Sequence, residues 1–213
     1  MRCDRKTMRL YAVTDRAWVG QGTLGDQVEQ ALRGGVTCVQ LREKSLGVPA
    51  ILVEAEEIGA LCRSYGVPFL INDRVEIALQ CGADGVHVGQ KDRAAREVRR
   101  LLGPNRILGV SARTVEQAVQ AERDGADYLG VGAVFSTSTK ADAMPVSYET
   151  LQAICRAVSI PVVAIGGIQR ENLLSLTGSG VDGGALVSAI FAAPDVETAS
   201  RELRALSEAM VRA

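Results

Sequence analysis

Aromatic residues are scarce in this chain, at 4% of 213 residues, although hydrophobic residues make up 47%. A core must therefore be packed by Val, Leu, Ile and Ala, and that aliphatic bias suits parallel strands covered on both faces. An excess of either charge is also missing: Lys and Arg total 24, Asp and Glu 25, for a formal net charge of −1. No global basic field draws such a protein to nucleic acid or to an anionic membrane, so any anion site has to be local. Histidine occurs once, at His87, and no serine elbow accompanies it, which leaves no nucleophilic triad to build. Cys3, Cys38, Cys62, Cys81 and Cys155 are scattered, without the close pairs of a zinc site or a redox motif. They read as reduced, mostly buried and inert thiols. No uninterrupted apolar stretch is long enough to span a bilayer, and the charged MRCDRKT start has no apolar core behind it to make a signal peptide. A soluble, cytoplasmic protein is expected. No Pro/Gly/Ser-rich linker or low-complexity segment marks a boundary, and the length suits one domain.

What is present is an alternation. Short apolar runs recur at a spacing of roughly 25 residues, as in a chain of strand and helix units. They are RLYAVT, VTCVQL, PFLI, DGVHV, RILGV, YLGVG, PVVAI and GGALVS. Amphipathic stretches at helical spacing follow them, for example LGDQVEQALRGG, PAILVEAEEIGALCRSYG and TVEQAVQAERDG. Eight such units, each with its helix, would close an α/β TIM (β/α)8 barrel; an open doubly wound sheet, which usually has fewer strands, ranks second. Residues 1–8 are expected to form an N-terminal extension and 9–213 the single catalytic barrel domain. GADGVHVG, GADYLGVG and GVDGGALVS share a glycine, a small residue, an aspartate and then a strand. Asp84, Asp127 and Asp182 precede their strands, so they belong on the stability face and read as structural.

In such a barrel the chemistry gathers where strands end. Polar residues do follow the apolar runs: Gln40-Leu41-Arg42-Glu43-Lys44 after the second, Asn72-Asp73-Arg74 after the third, and His87-Val88-Gly89-Gln90-Lys91-Asp92 after the fourth. Ser111 follows the fifth, the run Ser136-Thr137-Ser138-Thr139-Lys140 the sixth, Gly166-Gly167 the seventh and Val187-Ser188 the eighth. Strand alternation turns Gln40 and Arg42 to one side and Leu41 to the other. Asp73 and Asp92 could each be a helix cap or a first-turn acid. As a pair from neighbouring strand ends, with asparagine and arginines nearby, they make an oxygen-ligand set suited to magnesium, which takes one or two carboxylates plus waters and phosphates. Gly166-Gly167 with Val187-Ser188 match the phosphate site of the seventh and eighth barrel loops. The hydroxyl run is either a polar turn or a seat for a phosphorylated ligand. A second anion region would consist of Arg42, Lys44, Ser111, Lys140 and the two carboxylates through a metal. His87 reads as structural or pocket-lining rather than as a general base. Trp18, after the first strand, is either a lid residue or an exposed aromatic.

The ordered motifs QLREK, IND, HVGQ with Asp92, GVS, TSTK, IGGI and VSAI resemble the thiamine-phosphate synthase family, from about Arg9 onward. That resemblance implies a TIM barrel joining 4-amino-5-hydroxymethyl-2-methylpyrimidine diphosphate to 4-methyl-5-(2-phosphoethyl)thiazole, with Mg2+, and releasing pyrophosphate. It implies pyrimidine diphosphate contacts at Gln40, Leu41, Arg42, Glu43, Lys44, Asn72, Ser111 and Lys140, of which Arg42, Lys44, Ser111 and Lys140 would be catalytic. The implied magnesium ligands are Asp73 and Asp92, and the thiazole phosphate contacts Thr137, Ser138, Thr139, Gly167, Val187 and Ser188. The family usually has proline where this chain has Ser136, which implies a less rigid loop. A tautomerase-like relative of the same barrel and a non-catalytic sensor of a phosphorylated metabolite are the alternatives. The expected partners are small-molecule substrates, with neither nucleic acid nor membrane, and the sequence is compatible with a homo-oligomer.

Overall fold

Both faces of every short apolar run are covered, so alternate side chains have two apolar destinations. The structure is a computed structural model and describes residues 3–20, 22–136 and 145–212. Its strands are β1 (Leu10–Val13), β2 (Cys38–Leu41), β3 (Phe69–Asn72), β4 (Gly85–Val88), β5 (Ile107–Ala112), β6 (Tyr128–Gly132), β7 (Val162–Ile165) and β8 (Gly183–Leu186). All neighbours pair in parallel, and β8 returns to β1 through Leu10 opposite Gly184 and Ala12 opposite Leu186, closing an eight-stranded barrel. One parity of each strand, including Ala12, Val39, Leu41, Ile71 and Val131, packs outward against helices. The other parity points inward, where Tyr11, Val13, Leu70, Ile107, Tyr128, Val163 and Ala185 form a separate inner core.

The helices are α1 (Leu24–Arg33), α2 (Val48–Tyr65), α3 (Val75–Gln80), α4 (Ala95–Leu102), α5 (Val115–Arg123), α6 (Tyr148–Ala157), α7 (Ser188–Phe191) and α8 (Val196–Arg212). Thr23 and Asp26 form a capping box at the start of α1, and Thr114 and Ser147 cap α5 and α6 by accepting from backbone N–H groups. The expected pairing of one helix to each strand fails at β7. There the chain makes only a 3-10 turn at Leu173–Leu176, and the compensating second helix follows β8. Gly166 and Gly167 on one side and Gly178 and Gly180 on the other, all at positive φ, bracket this segment.

The N-terminal mouth is built for stability. Asp84 accepts from the N–H of Phe69, Asp127 from that of Leu108 and Asp182 from that of Val162, so each aspartate anchors the start of a neighbouring strand. Met8 is fully buried in the inner core and Arg5 pairs with Asp182 at 2.8 Å, so the segment ahead of β1 packs across this end. No helix among the described residues is long and apolar enough to cross a membrane.

Candidate active site

At the opposite mouth the strands end around a cavity of about 170 Å3. Val13, Val163, Ile165, Ile168 and Ala185 give it apolar walls, and Gln40, Arg42, Asn72, His87, Ser111 and Ser188 bring polar groups. Parallel strands in a barrel all present the same end, so residues more than a hundred positions apart in sequence converge here.

The β2 end divides its five residues among different tasks. Gln40 is buried and faces the cavity, whereas the Leu41 side chain sits in the outer layer among helices, so only its backbone is available to a ligand. Arg42 lines the cavity and pairs with Asp15 at 3.3 Å, and its N–H donates to Thr14 Oγ1. Glu43 is taken up by its own loop: it accepts from Arg16 Nε at 2.6 Å, from the N–H and hydroxyl of Ser45, and from the N–H of Leu46. Burial alone would raise its pKa, but the Ser45, Arg16 and Leu46 hydrogen bonds outweigh it and bring the carboxyl to about 2. Lys44 is exposed in a groove it shares with Asp15, Arg16 and Arg42.

Beyond β3, Asp73 adopts φ 61°, the left-handed region that Asp tolerates better than most residues, and its N–H extends the sheet to the carbonyl of His87 at 2.8 Å. That turn aims its carboxyl at Asp92. Desolvation first, then the hydrogen bond and charge of Asp92, raise Asp73 to about 6, with Asn72 and Lys44 offsetting part of the effect. Asp92 is held in place by the N–H of Gly89 at 2.7 Å. A partly desolvated carboxyl facing a second one is short of positive charge, and a divalent cation with oxygen ligands would supply it. Among the described residues no cluster of three or more His, Cys, Asp or Glu forms a metal site, so the remaining ligands of such a cation would be waters or substrate oxygens.

Across the inside of the barrel runs a row of hydrogen bonds: Gln40 Nε2 to Tyr11 Oη at 2.6 Å, Tyr11 Oη to Tyr128 Oη at 2.7 Å, Tyr128 Oη to His87 Nδ1 at 2.8 Å, and His87 Nε2 to Ser111 Oγ at 2.9 Å. The crossing requires glycine on β5, because a Cβ on Gly109 would lie 2.2 Å from the Tyr128 ring. On the far side, Gly166 and Gly167 turn with φ of 98° and 67°. In this loop Asn172 Nδ2 donates to the Gly167 carbonyl at 2.9 Å, and Gln169 Nε2 donates to Ser188 Oγ at 3.1 Å, which leaves the Ser188 hydroxyl hydrogen for a ligand. Phe135 donates its N–H to the Gly166 carbonyl, so the β6 and β7 loops adjoin. Thr137, Ser138, Thr139 and Lys140 lie outside the described residues.

Residues 10–190 match the family model described as thiamine monophosphate synthase. The chain belongs to the thiamine monophosphate synthase family. It is 52% identical over 194 residues to a thiamine-phosphate synthase of Ruminiclostridium cellulolyticum, covering 91% of this chain and 92% of that protein. It is 50% identical over 199 residues to one from Chloroflexus aurantiacus, covering 93% and 92%. Among solved structures, thiamine phosphate pyrophosphorylase from Pyrococcus furiosus superposes with a TM-score of 0.89 at 39% identity, over 97% of this chain and 98% of that one. The protein is thus an enzyme of the thiamine-phosphate synthase type, a transferase with a TIM barrel.

Within this synthase barrel the structure adds residues that the sequence motifs pass over. Tyr11 lines the cavity and Tyr128 lies beneath it, Asp15 holds Arg42, Gln169 holds Ser188, and Arg113 adds a cation to the cavity wall. Inward strand parity would have selected Tyr11 and Tyr128, since each shares its parity with other inward residues. Asp15, Arg113 and Gln169 sit on loops, where no periodicity marks them.

Proposed function

We propose that the protein joins the methylene carbon of 4-amino-5-hydroxymethyl-2-methylpyrimidine diphosphate to the ring nitrogen of 4-methyl-5-(2-phosphoethyl)thiazole, giving thiamine monophosphate and pyrophosphate. The C–O bond breaks with its electrons going to the diphosphate, the pyrimidine amino group stabilises the methylene cation, and the thiazole nitrogen lone pair forms the new C–N bond. The observation that carries this reading is the Asp73 and Asp92 pair at the rim, with Arg42 and Lys44 beside it and the glycine loop across the cavity. Asp73 and Asp92 would hold a magnesium ion, whose positive charge would offset the negative charge that grows on the leaving group.

The chain's own residues do the rest. Arg42, Lys44 and Lys140 hold the departing diphosphate, and Gln40, Asn72 and Ser111 orient the pyrimidine. Gly167, Val187 and Ser188, with Thr137, Ser138 and Thr139, seat the thiazole phosphate. The apolar walls exclude water that would otherwise trap the cation. No proton has to move for the bond exchange, which accords with a cavity whose one imidazole is engaged by Tyr128 and Ser111. We place the reaction in the cytoplasm. The test is pyrophosphate release by the purified protein with both substrates and Mg2+, beside an EDTA control and Asp92→Ala. Release that needs both substrates and the metal, and collapses in the variant, supports the reading. A folded wild-type protein that releases none overturns it in favour of a tautomerase or a sensor.

A further inference from the structure

The row of hydrogen bonds across the barrel has a direction, and the direction follows from one placement. Gln40 directs its amide nitrogen at Tyr11, so the Tyr11 oxygen accepts there. Burial raises both phenols well above their ordinary pKa, so each carries one hydroxyl proton. If Tyr128 donated to Tyr11, the Tyr11 proton would be left facing the Cys38 thiol, a weak acceptor, in a place where Tyr11 is only 1% exposed. The arrangement that avoids this weak pairing has Tyr11 donating to Tyr128 across 2.7 Å. Tyr128, fully buried, must send its own proton to His87 Nδ1. A neutral imidazole whose Nδ1 accepts carries its proton on Nε2, which then donates to Ser111 Oγ. The Ser111 oxygen has received a hydrogen bond from inside the protein, and its own proton is turned outward to the cavity it lines.

The geometry points to a one-way hydrogen-bonded chain, Gln40 to Tyr11 to Tyr128 to His87 to Ser111, in which Tyr11, Tyr128 and His87 are positioning residues that fix Ser111 as a donor toward an acceptor atom of the pyrimidine diphosphate. The naming of that substrate rests on the function proposed above; the direction of the chain does not. Its two ends come from β2 and β5, so a break in the middle disturbs both ends of the row. The glycines that flank the crossing fit this role. Gly109 leaves room for the Tyr128 ring, and a Cβ on Gly130 would press on His87 Cε1 at 3.0 Å.

His87 is the sole histidine in the sequence, so a sample labelled with 15N-histidine reports its tautomer as a single spin system. The experiment compares wild-type protein and Tyr128→Phe, which keeps the ring and removes the central hydroxyl, by long-range 1H–15N correlation and by steady-state kinetics. The expected wild-type spectrum shows a protonated Nε2 and a bare Nδ1. In Tyr128→Phe the ring should mix or change tautomer, and kcat should fall between about tenfold and a hundredfold, as for other misplaced contacts. Circular dichroism checks folding, and Tyr11→Phe serves in its place if Tyr128→Phe does not fold. A protonated Nδ1 in the wild type overturns the direction. A Tyr128→Phe protein with the wild-type tautomer, or with kcat within twofold of wild type, overturns the positioning role. If the wild type releases no pyrophosphate, the substrate reading has failed, and the tautomer comparison alone decides for or against the chain.

Discussion

Asp15 sets a carboxylate oxygen 3.3 Å from Nη1 of Arg42, so the guanidinium proposed to receive a diphosphate is already held by an acid from the neighbouring strand end. Both side chains are about one-fifth exposed, at 19% and 21%. The pair is partly desolvated, so its attraction is largely offset, and its main effect is to restrict the rotamers of a long side chain before the ligand arrives. Asp15→Asn keeps the acceptor that caps Ala17 and removes the charge. The expected result is a KM for the pyrimidine diphosphate raised about fivefold, equivalent to roughly 1 kcal/mol, with kcat little changed. A KM that falls would mean that Asp15 competes with the substrate for Arg42.

Glu43 serves the loop, and its pH dependence should say so. The carboxyl moves from 4.5 to about 2 in the folded protein, so its stabilising effect is present above 4.5 and is lost as pH falls toward 2. Glu43→Gln removes that dependence and weakens the bonds to Ser45, Leu46 and Arg16, at a cost of about 2 kcal/mol at neutral pH. Urea unfolding of the wild type and variant across pH 2 to 7 checks both statements. The two curves should converge toward the acid end. A constant gap would assign the loss to packing instead.

The barrel was readable because parity and spacing are local properties. Eight apolar runs, their polar ends and the three aspartates before strands all follow from short stretches of chain. Gln40, Asn72, His87 and Ser111 face the cavity because each takes the inward parity of its strand. Other features depend on distant partners. Tyr11 and Tyr128 meet across 117 positions, and nothing near either residue announces it. Leu41 and Glu43 belong to the QLREK motif, yet one side chain packs outward and the other ties down its own loop, because a motif records sequence and not direction. The missing helix after β7 was obscured by LLSL, whose apolar residues suit a helix although the chain there makes only a 3-10 turn.

Asp73 and Asp92 make opposite demands on the protein with and without a cation. The Asp73 carboxyl, raised from 3.8 to about 6, contributes stability that is fully present below 3.8 and is lost as pH rises through about 6. Asp73→Asn removes one charge and keeps a residue type that accepts positive φ. At pH 7.5 in EDTA the variant should melt a few degrees above wild type, since roughly 1 kcal/mol shifts a chain of this size by about 2–4 °C. With Mg2+ the order reverses: the wild type gains stability, increasingly as pH rises through about 6, while the variant does not. Pyrophosphate release by the variant should fall by at least about a hundredfold. A variant that Mg2+ stabilises as well as wild type would place the ion elsewhere.

The two proposed anion regions can be separated kinetically, because they lie on opposite sides of the cavity and rest on different atoms. Gly167 holds φ 67°, and a Cβ there would meet the Ser136 carbonyl at 2.3 Å and Phe135 Cβ at 2.8 Å. Gly167→Ala must therefore push the β6 and β7 loops apart, besides straining its own backbone by about 1 kcal/mol. If that loop seats the thiazole phosphate, its KM should rise by about tenfold or more, while the KM of the pyrimidine diphosphate stays within about twofold. Lys44→Ala, in the groove beside Arg42, should show the reverse pattern. Initial rates with each substrate varied against a fixed excess of the other measure both. Equal effects on the two KM values in Gly167→Ala would show that the loops move as one body, and the assignment of separate seats would then fail, because a local clash at Gly167 would be reaching Arg42 and Lys44 on the other side of the cavity.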